Sequence, residues 1–448
     1  MFSFSVVLLA AWGVLALASV YPRTYVPLLV ASVAVGIGGL ARPNRTKQVD
    51  WVLLAATLFF VLAIALQLVP VPVSLLSDVS PSTHNLLLND EVGYALRAAH
   101  PLSLRPAATQ RGLCFAVGFG LLFLGLHAGL RAGDSARIAW SMAALGPVVT
   151  LIAIVQTAVS PDLMYGRWAP IEGNNAFGPF VNPNHFAAWT LLTLFLGFGA
   201  VATMAARSPL SSQVSLRRRI IWLSSAEGSK LALGAFGLLV MTIGLLFSTS
   251  RSALIGLAAG CMCVLSWIRR DNPRRSRAAM VFVLVLFLLV PLVWAGAQRV
   301  VANVAGTGGL NERARAWGDA IQVIRDFRLA GVGFNAYDAV ARPYQSHDFD
   351  QFWQEVHNDY LELAADGGAL LVLPAAILLV SFVRATRHAL RDDSTSSTRW
   401  IRRGAVAGIA AIAVQEGFDF SLQIPAVAVL LVVAAGIAVT ELQPAGER

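Results

Sequence analysis

The sequence predicts an all-α polytopic membrane protein of about twelve transmembrane helices, with a helical domain outside the membrane between spans 9 and 10. Three observations carry that prediction. Of the 448 residues, 56% are hydrophobic and only 13% charged. Mean hydropathy is +0.66. Apolar stretches close to the roughly 20 residues that cross a bilayer recur along most of the chain. The spans fall near 2–20, 25–40, 51–69, 110–130, 138–159, 185–206, 231–248, 252–268, 279–296, 369–384, 404–415 and 425–440. No Lys or Arg precedes the first apolar run and "ALAS" is a weak cleavage site, so that run reads as a retained span, not a signal peptide.

Basic residues set the orientation. The segments 41–50, 127–138, 207–230, 269–278 and 384–403, with the C-terminal tail, hold 22 of the 34 lysines and arginines. Short basic loops stay cytoplasmic, which puts both termini inside. The pI of about 10.1 is then a topology signal and not a nucleic-acid footprint. Carboxylates run the other way: ten of the 25 Asp and Glu lie between Glu312 and Asp366, outside. Four regions result: spans 1–5 over 1–159, spans 6–9 over 160–296, an outer helical loop over 297–368, and spans 10–12 over 369–448. Cys114, Cys261 and Cys263 all fall within spans. A Cys-x-Cys pair on a helix points its sulfurs about 200° apart, so neither a disulfide framework nor a metal site is implied.

Two outer segments exceed simple turns. Residues 70–109 are Pro/Ser-rich and read as an irregular loop with a short helix. In 311–327, Ala314, Trp317, Ile321 and Ile324 recur at helical spacing, and the glycines of "AGVGFNAY" end that helix. A second helix is expected from about Phe349 to Asp366, closed by Gly367-Gly368. On its wheel Glu355, Asp359, Glu362 and Asp366 form one acidic face, for which Arg313, Arg315, Arg325 and Arg328 are the available cations. His357 falls nearly opposite that face.

His357 is the leading general-base candidate, because a neutral imidazole can take a proton from a hydroxyl; the bland alternative is a helix-packing hydrogen bond. Arg251 in "STSRSALIG" sits at the outer junction of two spans, where it either binds an anion or snorkels to headgroups. Arg167 is the only cation of its outer loop. Asn182, Asn184 and His185 follow it at the start of the next span, positions that also suit cap hydrogen bonds. With Arg313 these residues could form a pocket for a diphosphate, since charge-assisted bonds contribute roughly 1.5–3 kcal/mol each. Asp348-x-Asp350 in "HDFDQ" is the rival signal, for a divalent ion. The absence of a Gly-rich phosphate loop, zinc spacing or nucleophile elbow argues against nucleotide hydrolysis and serine-hydrolase chemistry.

Five ordered segments, "GPFVNPNHFAAW", "STSRSALIG", "NERARAWGDAIQVIRDFRLAGVGFNAY", "VHNDYLELAADGGALLVLP" and "FDFSLQIPA", resemble the O-antigen ligase/polymerase superfamily of the bacterial inner membrane over roughly 160–430. The resemblance implies glycan transfer at the periplasmic face, from an undecaprenyl-diphosphate-linked donor to lipid A–core, inverting and with neither metal nor cofactor. It implies His357 as base, Arg251 and Arg167 as diphosphate ligands, and Arg313 beside them. Asn182, Asn184, His185 and Asp359 would support the site, and Glu416 or Asp419 of "QEGFDF" would orient the imidazole. Some relatives carry a basic residue where this chain has Pro183, and the stretch from Arg167 to Asn182 is longer than usual. A polymerase taking a second lipid-linked glycan shares this chemistry. A transporter or flippase would instead put ionisable groups at mid-membrane.

Overall fold

The computed structural model describes residues 1–42, 50–171, 175–208, 215–271, 310–346, 354–391 and 398–440. Among them seven helices are long and apolar enough to span a membrane: α2 (Pro22–Leu40), α6 (Pro106–Gly129), α7 (Ala132–Val159), α8 (Pro183–Arg207), α10 (Ala226–Phe247), α11 (Arg251–Asp271) and α14 (Asp359–Arg391). Three apolar helices are shorter, α1 (Phe2–Leu15), α3 (Trp51–Leu66) and α16 (Pro425–Val439). With α15 (Arg399–Gln415) they make one bundle. The expected span at 279–296 and the Asp348/Asp350 pair lie outside the described residues.

Helix α8 is the axis of the bundle, buried almost continuously from His185 to Gly197 between α7, α10, α11, α15 and α16. Lipid chains are as apolar as leucine, so helices in a membrane associate through close packing over small residues. Here Gly36 and Gly39 of α2 lie against Gly125 and Gly129 of α6, and a Cβ on Gly39 would come within 2.2 Å of the Gly125 carbonyl. Gly199 and Gly404 bring α8 and α15 together the same way. The first apolar run is not one span to residue 20. Leu17, Ala18 and Ser19 all take positive φ, and the Ser19 hydroxyl donates to the Gly13 carbonyl, so the chain turns back into α2 at once.

The two ends of the bundle differ in charge. At one end lie Arg207, Arg269, Arg270, Arg391, Arg399 and Arg403, with Arg403 paired to Asp271. The other end receives the termini of α8, α11, α14, α15 and α16 together with every long described connection. Residues 67–105 are more regular than expected: α4 (Val73–Val79) and α5 (Pro81–Asp90) stand between strands β1 (Pro70–Pro72) and β2 (Ala99–Pro101), which pair antiparallel. They pack beneath α12 (Leu310–Asp326) and α13 (Asp338–Tyr344), and Leu86 and Leu104 join the core of Ala320, Val323, Phe327, Val340 and Val356. Gln67 ties α3 to this cap through the carbonyls of Ala330 and Asp366 and the amide of Phe334. The short α9 (Leu216–Leu223) precedes α10.

Three expectations about this region are corrected. Trp317 and Ile324 pack on the core as their spacing implies, but the fully buried positions of α12 include Ala316, Ala320 and Val323, with Phe327 just beyond it, and Ala314 and Ile321 face out. Of the helix expected from Phe349, residues 349–353 lie outside the described residues and 354–358 are not helical; α14 begins at Asp359, because His357 takes a positive φ of 55° and the Asn358 carboxamide caps α14 by accepting the Tyr360 and Leu361 amides. Gly367-Gly368 does not end it. Gly368 kinks the chain (φ 50°, ψ −152°) and the helix runs on to Arg391. Glycine is required there, since a Cβ would stand 2.8 Å from the Arg328 carbonyl oxygen.

Candidate functional site

The turn between α15 and α16, residues 416–424, organises the charged end. Glu416 and Asp419 are fully buried in it. The Asp359 amide, first in α14, donates to both the Glu416 and Asp419 carbonyls at 3.1 Å. The Asn358 carboxamide donates to the Gly417 carbonyl at 2.9 Å. From α8, the Asn184 carbonyl accepts from Gln415, and from α11 the Ser252 hydroxyl bonds Asp419. The N-termini of α8, α11 and α14 thus meet one loop, and each brings a partial positive charge toward it.

His357 precedes this junction in the chain. Its carbonyl accepts from the Trp317 indole at 3.4 Å, and its ring meets the Phe420 ring edge-on, centroids 4.9 Å apart. His185 meets Phe420 in the same way at 4.9 Å. His185 is 2% exposed, and neither of its ring nitrogens has a hydrogen-bond partner among the described residues. One phenylalanine therefore separates two imidazoles from segments more than 170 positions apart. Burial, and secondarily the Arg313 guanidinium, push the His357 pKa down to about 4, so the ring is neutral at physiological pH.

The acidic face is real, and the partners of Asp359, Glu362 and Asp366 among the described residues include backbone amides and Gln423. Asp359 accepts the Leu422 amide at 3.1 Å and the Gln423 carboxamide at 3.2 Å. Glu362 accepts Gln423 and the Val356 amide. Asp366 accepts the Asn335 and Ala336 amides. Irregular backbone supplies donors at shorter range and with less ordering of side chains than four long arginines would need. Glu355 lies before the helix, so the face consists of Asp359, Glu362 and Asp366. His357, being off the helix, is not opposite them; it stands at their end.

Of the expected cations, Arg313 is in the cluster, 3.7 Å from the Asp419 carboxylate. Burial raises the Asp419 pKa to about 6, against the lowering pull of Arg313. Burial, and secondarily Asp359, push Glu416 well above the usual carboxylate range, and it accepts the Ser421 amide at 2.7 Å. Arg251 opens α11, exposed, next to the Ser252 that bonds Asp419. Arg167 is elsewhere on this end: it stacks over Trp168 at 5.6 Å, and its neighbour Tyr165 donates to the Leu15 carbonyl at the α1–α2 turn. Asn182 caps α8 by accepting the Asn184 amide, which is the structural alternative foreseen for it. Phe420 and Gln423 went unremarked. They lie inside "FDFSLQIPA", but nothing local marks a phenylalanine as the spacer between two histidines.

This arrangement can neutralise an incoming anion at Arg313 and the exposed Arg251 while a neutral imidazole stands alongside to accept a proton. No curated protein is significantly similar to the chain. Residues 236–376, however, match the family described as O-antigen ligase, from the second half of α10 through α11, α12 and His357 into α14. The first and last of the five sequence segments, "GPFVNPNHFAAW" and "FDFSLQIPA", fall outside that match, although the fold carries both to the same junction. The segment that holds Arg251, Arg313 and His357 is thus the part of the chain that is similar to the O-antigen ligase family.

Proposed function

We propose that this protein is a ligase-type glycosyltransferase. It moves a glycan from undecaprenyl diphosphate to lipid A–core, or a similar acceptor, at the periplasmic face of the bacterial inner membrane. The observation that carries the reading is the junction of His357 with Arg313 and the start of α11, three segments distant in sequence and all within the matched family region.

The acceptor hydroxyl oxygen attacks the anomeric carbon, and the bond from that carbon to the diphosphate oxygen breaks with its electron pair. One displacement inverts the configuration. The hydroxyl proton passes to the His357 imidazole, and the charge left on the lipid diphosphate is held by Arg251 and Arg313. Arg313 has a second effect. While unpaired with substrate it lowers the basicity of His357; a bound diphosphate cancels that cation and raises the imidazole pKa toward the operating range, where a base is most effective. The donor thus prepares the base. Asp359, Glu416 and Asp419 hold the loop that positions Phe420 and, through it, the imidazole. Asn184 and His185 line its α8 side. Arg167, 5.6 Å over Trp168, would serve the donor at the rim.

The test is purified protein with undecaprenyl-linked glycan, with and without lipid A–core. Transfer only with core supports the ligase. Chain extension without core would assign the polymerase reaction, which uses the same donor groups and a second lipid-linked glycan. Ionisable groups gathered at one end of the bundle disfavour transport across it.

A further inference from the structure

On the side of α14 away from Arg313, a groove descends from the site into the apolar part of the bundle. Its upper part, about 330 Å³, is bounded by α3, α6, α14 and α16 and has Asp359, Glu362, Asp366 and Gln423 in its wall. Its lower part, about 490 Å³, is lined by side chains of α3, α6 and α16 and by Ala375 to Phe382 of α14. Phe60, Ala116, Phe119 and Leu422 belong to both parts, so they form one continuous groove. Leu379 on its wall is 60% exposed, which leaves the lower part open sideways to lipid.

The two parts differ in what they accept. The lower part is almost entirely apolar and suits a hydrocarbon chain. The upper part offers three acidic side chains and two carboxamides, Gln423 and Asn335. A diphosphate there would find no cation among the lining residues and little water, so its charge would be desolvated without compensation, which costs several kcal/mol. Sugar hydroxyls match it, because they donate to carboxylates and accept from a carboxamide. Neither Arg251 of α11 nor Arg313 of α12 is among the residues lining either part.

We infer that this groove seats the acceptor glycolipid, with an acyl chain between α3, α6, α14 and α16 and its sugar hydroxyls on Asp359, Glu362 and Gln423. The inference rests on the ligase reading and adds the acceptor's path: the hydroxyl arrives along α14 and the lipid diphosphate from the α11–α12 flank, with His357 where the two meet.

Gly120 lines the lower part, and a Cβ there would meet only Thr57 and Val61 at ordinary distances of 3.6 and 3.9 Å. Gly120→Leu should therefore fill the groove without displacing backbone. The acceptor KM should rise about tenfold or more, while the donor KM, and transfer to the same sugar acceptor stripped of its acyl chains, stay as in the wild type. A rise in donor KM instead would overturn the assignment in favour of the polyprenyl chain, and no change in either KM would overturn it outright. An acceptor lipid with a diazirine in its acyl chain gives a second readout on the wild-type protein. Labelling of peptides from 106–129 and 369–391 supports the groove, and labelling confined to other helices refutes it. If wild-type protein transfers glycan to neither acceptor, the ligase reading fails and takes this inference with it.

Discussion

His357→Asn separates the proton-transfer role of this residue from its packing role. Position 357 has φ 55°, a left-handed conformation that asparagine adopts readily and alanine does not. The Trp317 bond uses the backbone carbonyl and survives the change. What the fold loses is the ring contact with Phe420, an aromatic pair of roughly 0.5–1.5 kcal/mol. What the reaction loses is its base, which by analogy with general-base catalysis is a factor of roughly 10²–10⁴ in rate, or about 3–5 kcal/mol of barrier. The kinetic effect exceeds any plausible stability effect.

The assay is initial transfer rate at saturating donor, with donor KM measured beside it. The variant should lose at least about a hundredfold in kcat with donor KM nearly unchanged, because the cations that hold the donor are untouched. A loss smaller than about tenfold, or a donor KM that rises while kcat holds, would refute the assignment of His357 as base and return it to the helix-packing role.

Arg251→Lys should raise donor KM by about tenfold or more, since an ammonium cannot reproduce a forked contact to two phosphate oxygens; unchanged donor saturation would leave Arg251 a headgroup anchor. In the pH profile of kcat/KM, His357 stays neutral down to about 4, so it does not set the acid limb. Asp419 loses its charge as pH falls through about 6 and releases Arg313, which predicts an acid limb near 6 that Asp419→Asn abolishes, leaving kcat/KM at its acid-side level throughout; a limb that persists in the variant detaches Asp419 from the site. For stability, the depressed His357 pKa means its contribution is complete above about 6.5 and declines as pH falls toward 4, measurable as thermal unfolding of the detergent-solubilised protein between those values. Gly368→Ala should destabilise by roughly 1–3 kcal/mol or more, because it adds a Cβ where φ is positive and the Arg328 carbonyl oxygen is 2.8 Å away; an unchanged unfolding temperature would show that the kink can straighten. Transfer should persist in chelator, whereas loss restored by a divalent ion would bring Asp348 and Asp350 back as ligands.

Hydropathy made the apolar helices legible because a spanning helix satisfies its own backbone and needs only length and composition. Charge made the site segment legible, since "WQEVHNDYLELAADGG" is dense in ionisable groups within an apolar chain. The error came at the ends of that segment. A wheel assumes one helix, and nothing in composition announces that His357 turns left-handed and Asn358 caps. Gly367-Gly368 reads as a stop in water, yet here glycine lets α14 approach the 328–329 backbone and continue. The partners of the acidic face were equally hidden: the amides of Asn335, Ala336 and Leu422 are backbone groups, to which a side-chain pattern is blind. The surroundings of Arg167 were hidden for a related reason. A lone cation in an outer loop draws attention, but the Tyr165 and Trp168 around it anchor the loop at the α1–α2 turn.

The density of carboxylates beside a site for an anionic donor looks self-defeating until their hydrogen bonds are counted. Asp359, Glu362, Asp366 and Glu416 each accept at least one backbone amide. These acceptors are thereby committed to fixing the ends of helices. Asp419 does face a cation, and at 3.7 Å that pairing with Arg313 is loose enough to exchange for a phosphate oxygen. The field at the junction is then uneven in a useful sense. It is positive along α11, α12 and the converging N-termini, and rich in acceptors along the face of α14. A substrate with a diphosphate at one end and a substrate with hydroxyls at the other would be drawn to different sides of the same imidazole. Reversing that polarity, by Glu362→Lys for instance, should weaken acceptor use far more than donor use; the opposite order would mean that the acids serve the fold alone.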